Sequence, residues 1–246
     1  MFDTYTEIFA KRASNYHQAM ALAPEARAAE FEAVIEPLRG RSPGVVCDIP
    51  AGGGYLAPYL PTHLSYVGVE PAREFRELAP KDRETILAPI TAIPLPSQSV
   101  DHVISLAGLH HEEQLPLVFR EMRRLIRKGG TAVLADVAVG TAPARFLNGF
   151  VARHNPRGHN GHFLDDETCH SLAESSFRVV DDSLISVPWQ FRDRIEAGEF
   201  CSRLFGIDAL SPSEVAYSLE QEVGLDAAGS GVAVRWVLRR IVCEVA

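Results

Sequence analysis

Between residues 44 and 137 the chain alternates between strand-like and helix-like segments, and this alternation constrains its fold more than any other feature. "GVVCDI" reads as a strand, "GYLAPYL" as a short helix interrupted by Pro58, "LSYVGVE" as a strand and "AREFRELA" as a helix. "ETILAPI" is a short strand, and "VDHVISLAGL" opens as one. "EEQLPLVFREMRRLIRKGG" reads as a long helix ended by glycines, and "TAVLADVAV" as the next strand. Strands that are apolar almost throughout are buried on both faces, as in a parallel sheet covered by helices. Right-handed crossovers make such a sheet doubly wound. Ligands then bind beyond the carboxyl ends of the strands.

The flanking segments complete an α/β reading. Residues 1–40 form an N-terminal helical cap, with Phe31, Val34, Ile35 and Leu38 on one apolar face, Pro24 in a first turn and Gly40 as a stop. Residues 41–246 form the sheet domain, with insertions at about 141–165 and 190–230 that cover its end. "FRVVDDSLISVPWQF" holds a strand, residues 192–224 are mostly helical, and "GVAVRWVLRRIVCEVA" reads as one final long strand.

Bulk properties narrow the function. A net charge of −8 disfavours nucleic acid and anionic membranes as partners. The basic residues of "EMRRLIRKGG" read as a solvated face and a favourable charge cluster at a helix C-terminus. No apolar run approaches the ~20 residues needed to span a bilayer. "MFDTYTEIFAKR" lacks the pattern of a secretory signal. Cys47, Cys169, Cys201 and Cys243 are scattered, as expected for reduced thiols in a cytoplasmic protein.

The stretch "VVCDIPAGGGYL" carries the chemistry. Gly52 to Ala57 fits G-x-G-x-x-A, a dinucleotide fingerprint, with Glu70 at a distance suited to a ribose. Asp48 supports a second reading. Asp48-Ile49-Pro50-Ala51-Gly52-Gly53-Gly54 resembles motif I of class I S-adenosylmethionine (SAM)-dependent methyltransferases. "YVGVEPA", "IPLPSQSVDHVISLAGLHH" and "VFREMRRLIRKGGTAVLADV" are similar to that family's following stretches, in its order and spacing, over roughly residues 44–137.

The resemblance implies a seven-stranded, mostly parallel, doubly wound sheet and SAM as cofactor. It implies that Asp48 faces the methionine ammonium group, that the loop around Pro50, Gly52 and Gly54 lies against the methionine carboxylate at a helix start, and that Glu70 accepts from the ribose hydroxyls. Leu106, at the end of the fourth strand, joins the cofactor set. Two positions depart from the family pattern. Pro50 stands where the first glycine is usual, and Pro89 stands where an aspartate often holds the adenine, which leaves that base to backbone near Pro89 and Ile90. "FAKRASNYH" resembles a helix folded over SAM, with Tyr16 either closing the pocket or packing on the cap.

His110 and His111 follow the fourth strand, and "RHNPRGHNGHFLDD" brings His159 and His162 into a loop after the fifth. A near-neutral imidazole suits deprotonation of a hydroxyl or amine, so these four are the candidate catalytic residues; packing, capping and a solvated loop are the alternatives. His159 and His162 suit a metal, but spacing fixes no third ligand, so no metal is expected. Trp189 and Phe191 either wall an apolar pocket or fill the core. The expected function is SAM-dependent methylation of a small-molecule acceptor at O, N or C in specialised metabolism. A methyltransferase fold turned to elimination or cyclisation, and a partner-dependent binding subunit, are the competing readings.

Overall fold

The computed structural model describes residues 5–245, so the first four residues of the expected cap lie outside it. Helices α1 (Tyr5–Leu22) and α2 (Ala28–Ile35) precede β1 (Gly44–Asp48), β2 (Leu64–Glu70), α3 (Arg73–Leu78), β3 (Thr85–Leu87) and β4 (Val100–Leu106). Then come α4 (Leu115–Leu125), β5 (Ile126–Asp136), α5 (Ala142–Phe146), a π-helical turn at Leu147–Val151, α6 (Ala152–His154) and α7 (Asp166–Glu174). The chain continues through β6 (Arg178–Ser186), β7 (Trp189–Phe191), α8 (Arg194–Phe205), α9 (Pro212–Glu222), β8 (Leu225–Ala228), β9 (Gly231–Val234) and β10 (Val237–Glu244).

Seven strands form the main sheet in the order β3-β2-β1-β4-β5-β10-β6. The pairs from β3 to β5 are parallel, and β10 runs antiparallel between β5 and β6. The doubly wound reading therefore holds. Successive side chains of a strand point to opposite faces, and both faces are apolar here. In β1, Val46 enters the core beneath α2, while Cys47 enters the core beneath α4; Val133 and Leu134 of β5 divide in the same way. The expected face of the cap, Phe31, Val34, Ile35 and Leu38, is buried against the first of these cores. Helix α1 packs on α3 and α8, so it crosses the carboxyl end of the sheet.

Four expectations need correction. "GYLAPYL" forms turns and one 3₁₀ turn, Ala57–Tyr59, rather than a short helix. The long helix ends at Leu125, four residues before the first of its glycines. Arg124 ties its last turn to the carbonyls of Ile93 (2.9 Å) and Leu95 (2.8 Å), and β5 begins at the next residue. Arg127 therefore belongs to a strand, where it pairs with Asp101, and not to a helix-end cluster. Gly130 lets this stretch pass the sheet, because a Cβ there would lie 2.3 Å from the Asp101 carbonyl oxygen.

The C-terminal strand is also two strands. The chain breaks at Arg235 and Trp236, where Arg235 donates its N–H to Gly224 O (3.0 Å) and the indole of Trp236 stacks on Trp189 at 4.2 Å. β9 thereby joins β7 and β8 in a separate antiparallel sheet, and only β10 reaches the main one. "FRVVDDSLISVPWQF" likewise supplies two strands, one to each sheet. Side chains cap the covering helices: Asp165 begins α7, Asp193 begins α8 and Ser211 begins α9.

Candidate active site

β1 ends at Asp48, and a cis peptide bond joins Ile49 to Pro50. The left-handed backbone of the following loop falls on Gly52 (φ 55°) and Gly54 (φ 73°), which have no Cβ to clash. Pro50 thus stands outside the positions that need glycine. Its ring packs on the segment after β4, where a Cβ on Gly108 would lie 2.4 Å from Pro50 Cγ. No α-helix starts at this loop, so the helix-start cradle expected for a carboxylate is replaced by turn amides.

Glu70, at the end of β2, is fully buried beneath the loop. One carboxylate oxygen accepts from Gly52 N–H (2.7 Å) and from the Tyr5 hydroxyl (3.1 Å), and the other accepts from Ala72 N–H (2.8 Å). Burial pushes Glu70 up to about 7 despite these donors. Asp48 accepts from the Tyr66 hydroxyl at 3.1 Å. Burial pushes it up to about 8 against that hydrogen bond, and the charge of Glu70 adds to the rise. Among the described residues neither acid has an ion-pair partner.

A cleft of about 490 Å³ opens over these acids, lined by Asp48, Pro50, Gly52 and Leu106 from the sheet and by Tyr5 and Tyr16 from α1. Two buried carboxylates without a cation, beside loop amides at positive φ, fit SAM: its ammonium group complements Asp48 and its ribose hydroxyls complement Glu70. Both acids keep their protons in the fold at pH values where the unfolded chain has lost them. Their contribution to stability is thus complete below about pH 4 and is lost as pH rises through 7 and 8. A ligand that needs them ionised has the opposite trend. SAM affinity is expected to rise about tenfold or more between pH 6 and pH 8, measured by titration calorimetry; a flat profile would remove both acids from the contact.

A second cavity, of about 510 Å³, shares Phe9, Tyr16, Arg27 and Ala107 with the first. Ala107 has φ 50°, a costly conformation for a residue with a Cβ, and it stands at the junction of the two spaces. Trp189, Phe205 and Trp236 form the apolar side of this cavity. Behind Trp189 lies a buried ion pair: Arg27 Nε donates to Glu30 at 2.6 Å, and Trp189 Nε1 donates to the other Glu30 oxygen at 2.7 Å. Burial alone would lower the Arg27 guanidinium, but Glu30 and the Tyr16 hydroxyl beside it hold its pKa above normal.

His110, His111 and His159 meet on the opposite side. His110 Nδ1 donates to Asp136 Oδ1 at 2.7 Å, and the His110 backbone N–H donates to Oδ2 at 3.2 Å. His159 Nδ1 donates to Asn148 Oδ1 at 2.9 Å. The loop carrying it is held by His162 N–H on His110 O (2.8 Å) and by Gly161 on Asn148. Burial lowers His159 to about 3 and His111 well below the usual imidazole range, and the neighbouring histidines and Arg12 add to both shifts. Both rings are therefore neutral at physiological pH.

Five of the expected cofactor residues, Tyr16, Asp48, Pro50, Gly52 and Leu106, line the first cleft. Glu70 lies directly behind Gly52 and Tyr5. Gly54 faces a separate outer groove with His17 and Tyr59. Pro89 and Ile90 leave the set: β3 ends at Leu87, Pro89 is exposed, and Ile90 is buried in the core on the α4 side of the sheet. Phe75 from α3 lines the cleft instead. Three of the four expected histidines come together, whereas the side chain of His162 is exposed and outside the cluster. Trp189 both lines the second cavity and packs the core; Phe191 is core alone. Sequence reasoning passed over Tyr5 and Phe9, although their i, i+4 spacing is a helical signal, and over Asp136, whose place at the end of a strand was readable.

Residues 47–134 match the family model of the methyltransferase domain. A methyltransferase of Mycobacteroides abscessus, itself uncharacterized, is 35% identical over 107 residues, which is 40% of this chain and 40% of that protein. The chain thus spans well under half the length of this curated relative. A SAM-dependent methyltransferase of Thermotoga maritima superposes with a TM-score of 0.66 at 15% identity, covering 98% of this chain and 99% of that one. The YcgJ protein of Bacillus subtilis superposes with a TM-score of 0.65 at 17% identity, covering 89% of this chain and 99% of its own. The shared fold is that of the class I enzymes.

Proposed function

On a chain whose residues 47–134 are a methyltransferase domain within a class I SAM-dependent methyltransferase fold, we propose methyl transfer from SAM to a small molecule held in the second cavity. The observation that carries this reading is the pair of adjoining cavities. The first presents Asp48 and Gly52 to a cofactor with Glu70 directly behind Gly52, the second presents rings and imidazoles to an acceptor, and the two meet at Ala107.

When bound, SAM supplies an electrophilic methyl group. Asp48, Gly52, Glu70, Tyr16 and Leu106 hold and orient it, and Phe9 and Phe75 keep water from the cleft. Positioning acceptor and sulfonium in line supplies much of the rate. Trp189, Phe205 and Trp236 suit an acceptor with a flat apolar body. His110, His111 and His159 face its heteroatom, and the buried Asp136 fixes the tautomer of His110 so that Nε2 is the accepting nitrogen.

In this reading residues 1–40 are a cap, and residues 41–246 are the cofactor domain with acceptor-pocket insertions at about 141–165 and 190–230. The cavity wall contributed by α8 and the π-helical turn supports that division. Among the described residues no helix is long and apolar enough to cross a membrane. A net charge of −8 supports a substrate other than nucleic acid, and a cytoplasmic enzyme of specialised metabolism completes the proposed reading. The test is a panel of aromatic and terpenoid alcohols, amines and carbon nucleophiles, incubated with methyl-labelled SAM and followed by mass spectrometry. Label transfer that is lost in Asp48→Asn and Glu70→Gln is the expected result; acceptor conversion that persists in both variants would mean non-methylating chemistry.

A further inference from the structure

The structure assigns His110, His111 and His159 to one divalent transition-metal ion, bound in the acceptor cavity. The coordinating nitrogens of the three side chains lie within 4.8 Å of one another. His110 and His111 are buried, and His159 is partly so. Their ring centroids are 4.0, 5.5 and 5.6 Å apart.

What separates this cluster from a chance gathering of histidines is the way its rings are held. A carboxylate oxygen accepts, so the His110 ring donates from Nδ1, where it meets Asp136 at 2.7 Å. Asn148 accepts from Gly161 N–H with the same oxygen that meets His159 Nδ1, and its amide nitrogen donates to Gly161 O. His159 therefore also carries its proton on Nδ1. In both rings this leaves Nε2 as the nitrogen that these partners do not engage. Metal-binding histidines are arranged in this way: one nitrogen donates to a carboxylate or carbonyl, and the other is free for the ion. The ring of His111 makes no hydrogen bond among the described residues and is surrounded by Tyr5, Phe9 and the other two imidazoles. The Nε2 atoms of His110 and His159 and one ring nitrogen of His111 are thus free to converge on a cation.

Three nitrogens at one site with no oxygen ligand favour Zn²⁺, Fe²⁺ or Co²⁺ over Mg²⁺ or Ca²⁺. A Zn–N distance of about 2.0–2.1 Å places tetrahedral ligands about 3.4 Å apart, so the rings close by about an ångström around the ion. His159 provides this freedom, because it sits on the loop that follows α6. Arg12 also faces the cavity, and the charge of Asp208 acts against that of Arg12. Three protein ligands leave a fourth position open, which is the pattern of catalytic rather than structural sites. That position faces the cavity, so an acceptor hydroxyl, enol or amine would reach the metal rather than an imidazole.

The site does not depend on methyl transfer, and its test reads metal alone. Protein stripped with chelator is dialysed against Zn²⁺ and then against metal-free buffer, and its metal content is measured by plasma mass spectrometry; the Co²⁺ form is examined for the ligand-field bands of four-coordinate cobalt. About one equivalent is expected, with at least a 100-fold loss of affinity in each of His110→Ala, His111→Ala and His159→Ala. Asn148→Ala changes an exposed residue and spares the fold, yet should weaken binding by about 10–100-fold through the freed His159 ring. His162→Ala should bind as the parent does. Absence of stoichiometric metal, retention of it in His159→Ala, or an equal loss in His162→Ala would overturn the assignment.

Discussion

Exchange of Glu70 for alanine is expected to lower SAM affinity by at least about 100-fold. Hydrogen bonds to a charged group contribute about 1.5–3 kcal/mol each, and a buried carboxylate aligned with a ribose diol makes two of them. The same carboxylate holds the N–H groups of Gly52 and Ala72. Their loss leaves amides without an acceptor, at about 1–3 kcal/mol each, so the melting temperature falls as well. Glu70→Gln separates the two effects. It keeps one acceptor oxygen, for either Gly52 or Ala72, and loses the charge, so part of the stability should return while affinity stays reduced. Titration calorimetry on variants whose circular dichroism matches the parent measures both. Parent-like affinity in folded Glu70→Ala would move the ribose site elsewhere.

The second large effect is on stability. Glu30→Ala is expected to cost about 3–5 kcal/mol, read as a fall in the urea midpoint. Glu30 is completely buried, 159 residues away in sequence from the Trp189 indole that donates to it. Without it the Arg27 guanidinium remains enclosed by Tyr16, Phe31 and Trp189 with its countercharge gone. An unpaired buried charge accounts for most of the loss. Arg27→Met with Glu30→Gln removes both charges and should recover much of it. A Glu30→Ala change below about 1 kcal/mol would mean that water reaches Arg27.

The main sheet was legible because its signals are local and repeated: apolar runs such as Val45 to Cys47 and Val103 to Ser105, each closed by a turn. The second sheet was not. Burial alternates from Val234 to Leu238, through Trp236, so the pattern carries across a break that tertiary packing imposes. Pro89 and Ile90, onto which a family stretch was carried, fall outside the lining of the first cleft, as the three-residue β3 ends at Leu87. The histidines illustrate a different limit. Spacing along the loop links His159 with His162, yet the partners of His159 come from the end of β4, nearly 50 residues earlier in the chain. Alternation along a loop says nothing about which strand end it will meet.

The hydroxyl of Tyr5 occupies an oxygen of Glu70 that a ribose would use. If Glu70 holds the ribose as proposed, cofactor entry is an exchange: one phenol leaves the carboxylate as the sugar arrives. The first turn of α1 and the cofactor are in effect competing ligands for one acid, and linkage makes that competition reciprocal. Whatever secures the amino-terminal turn weakens cofactor binding by the same factor by which bound cofactor loosens the turn.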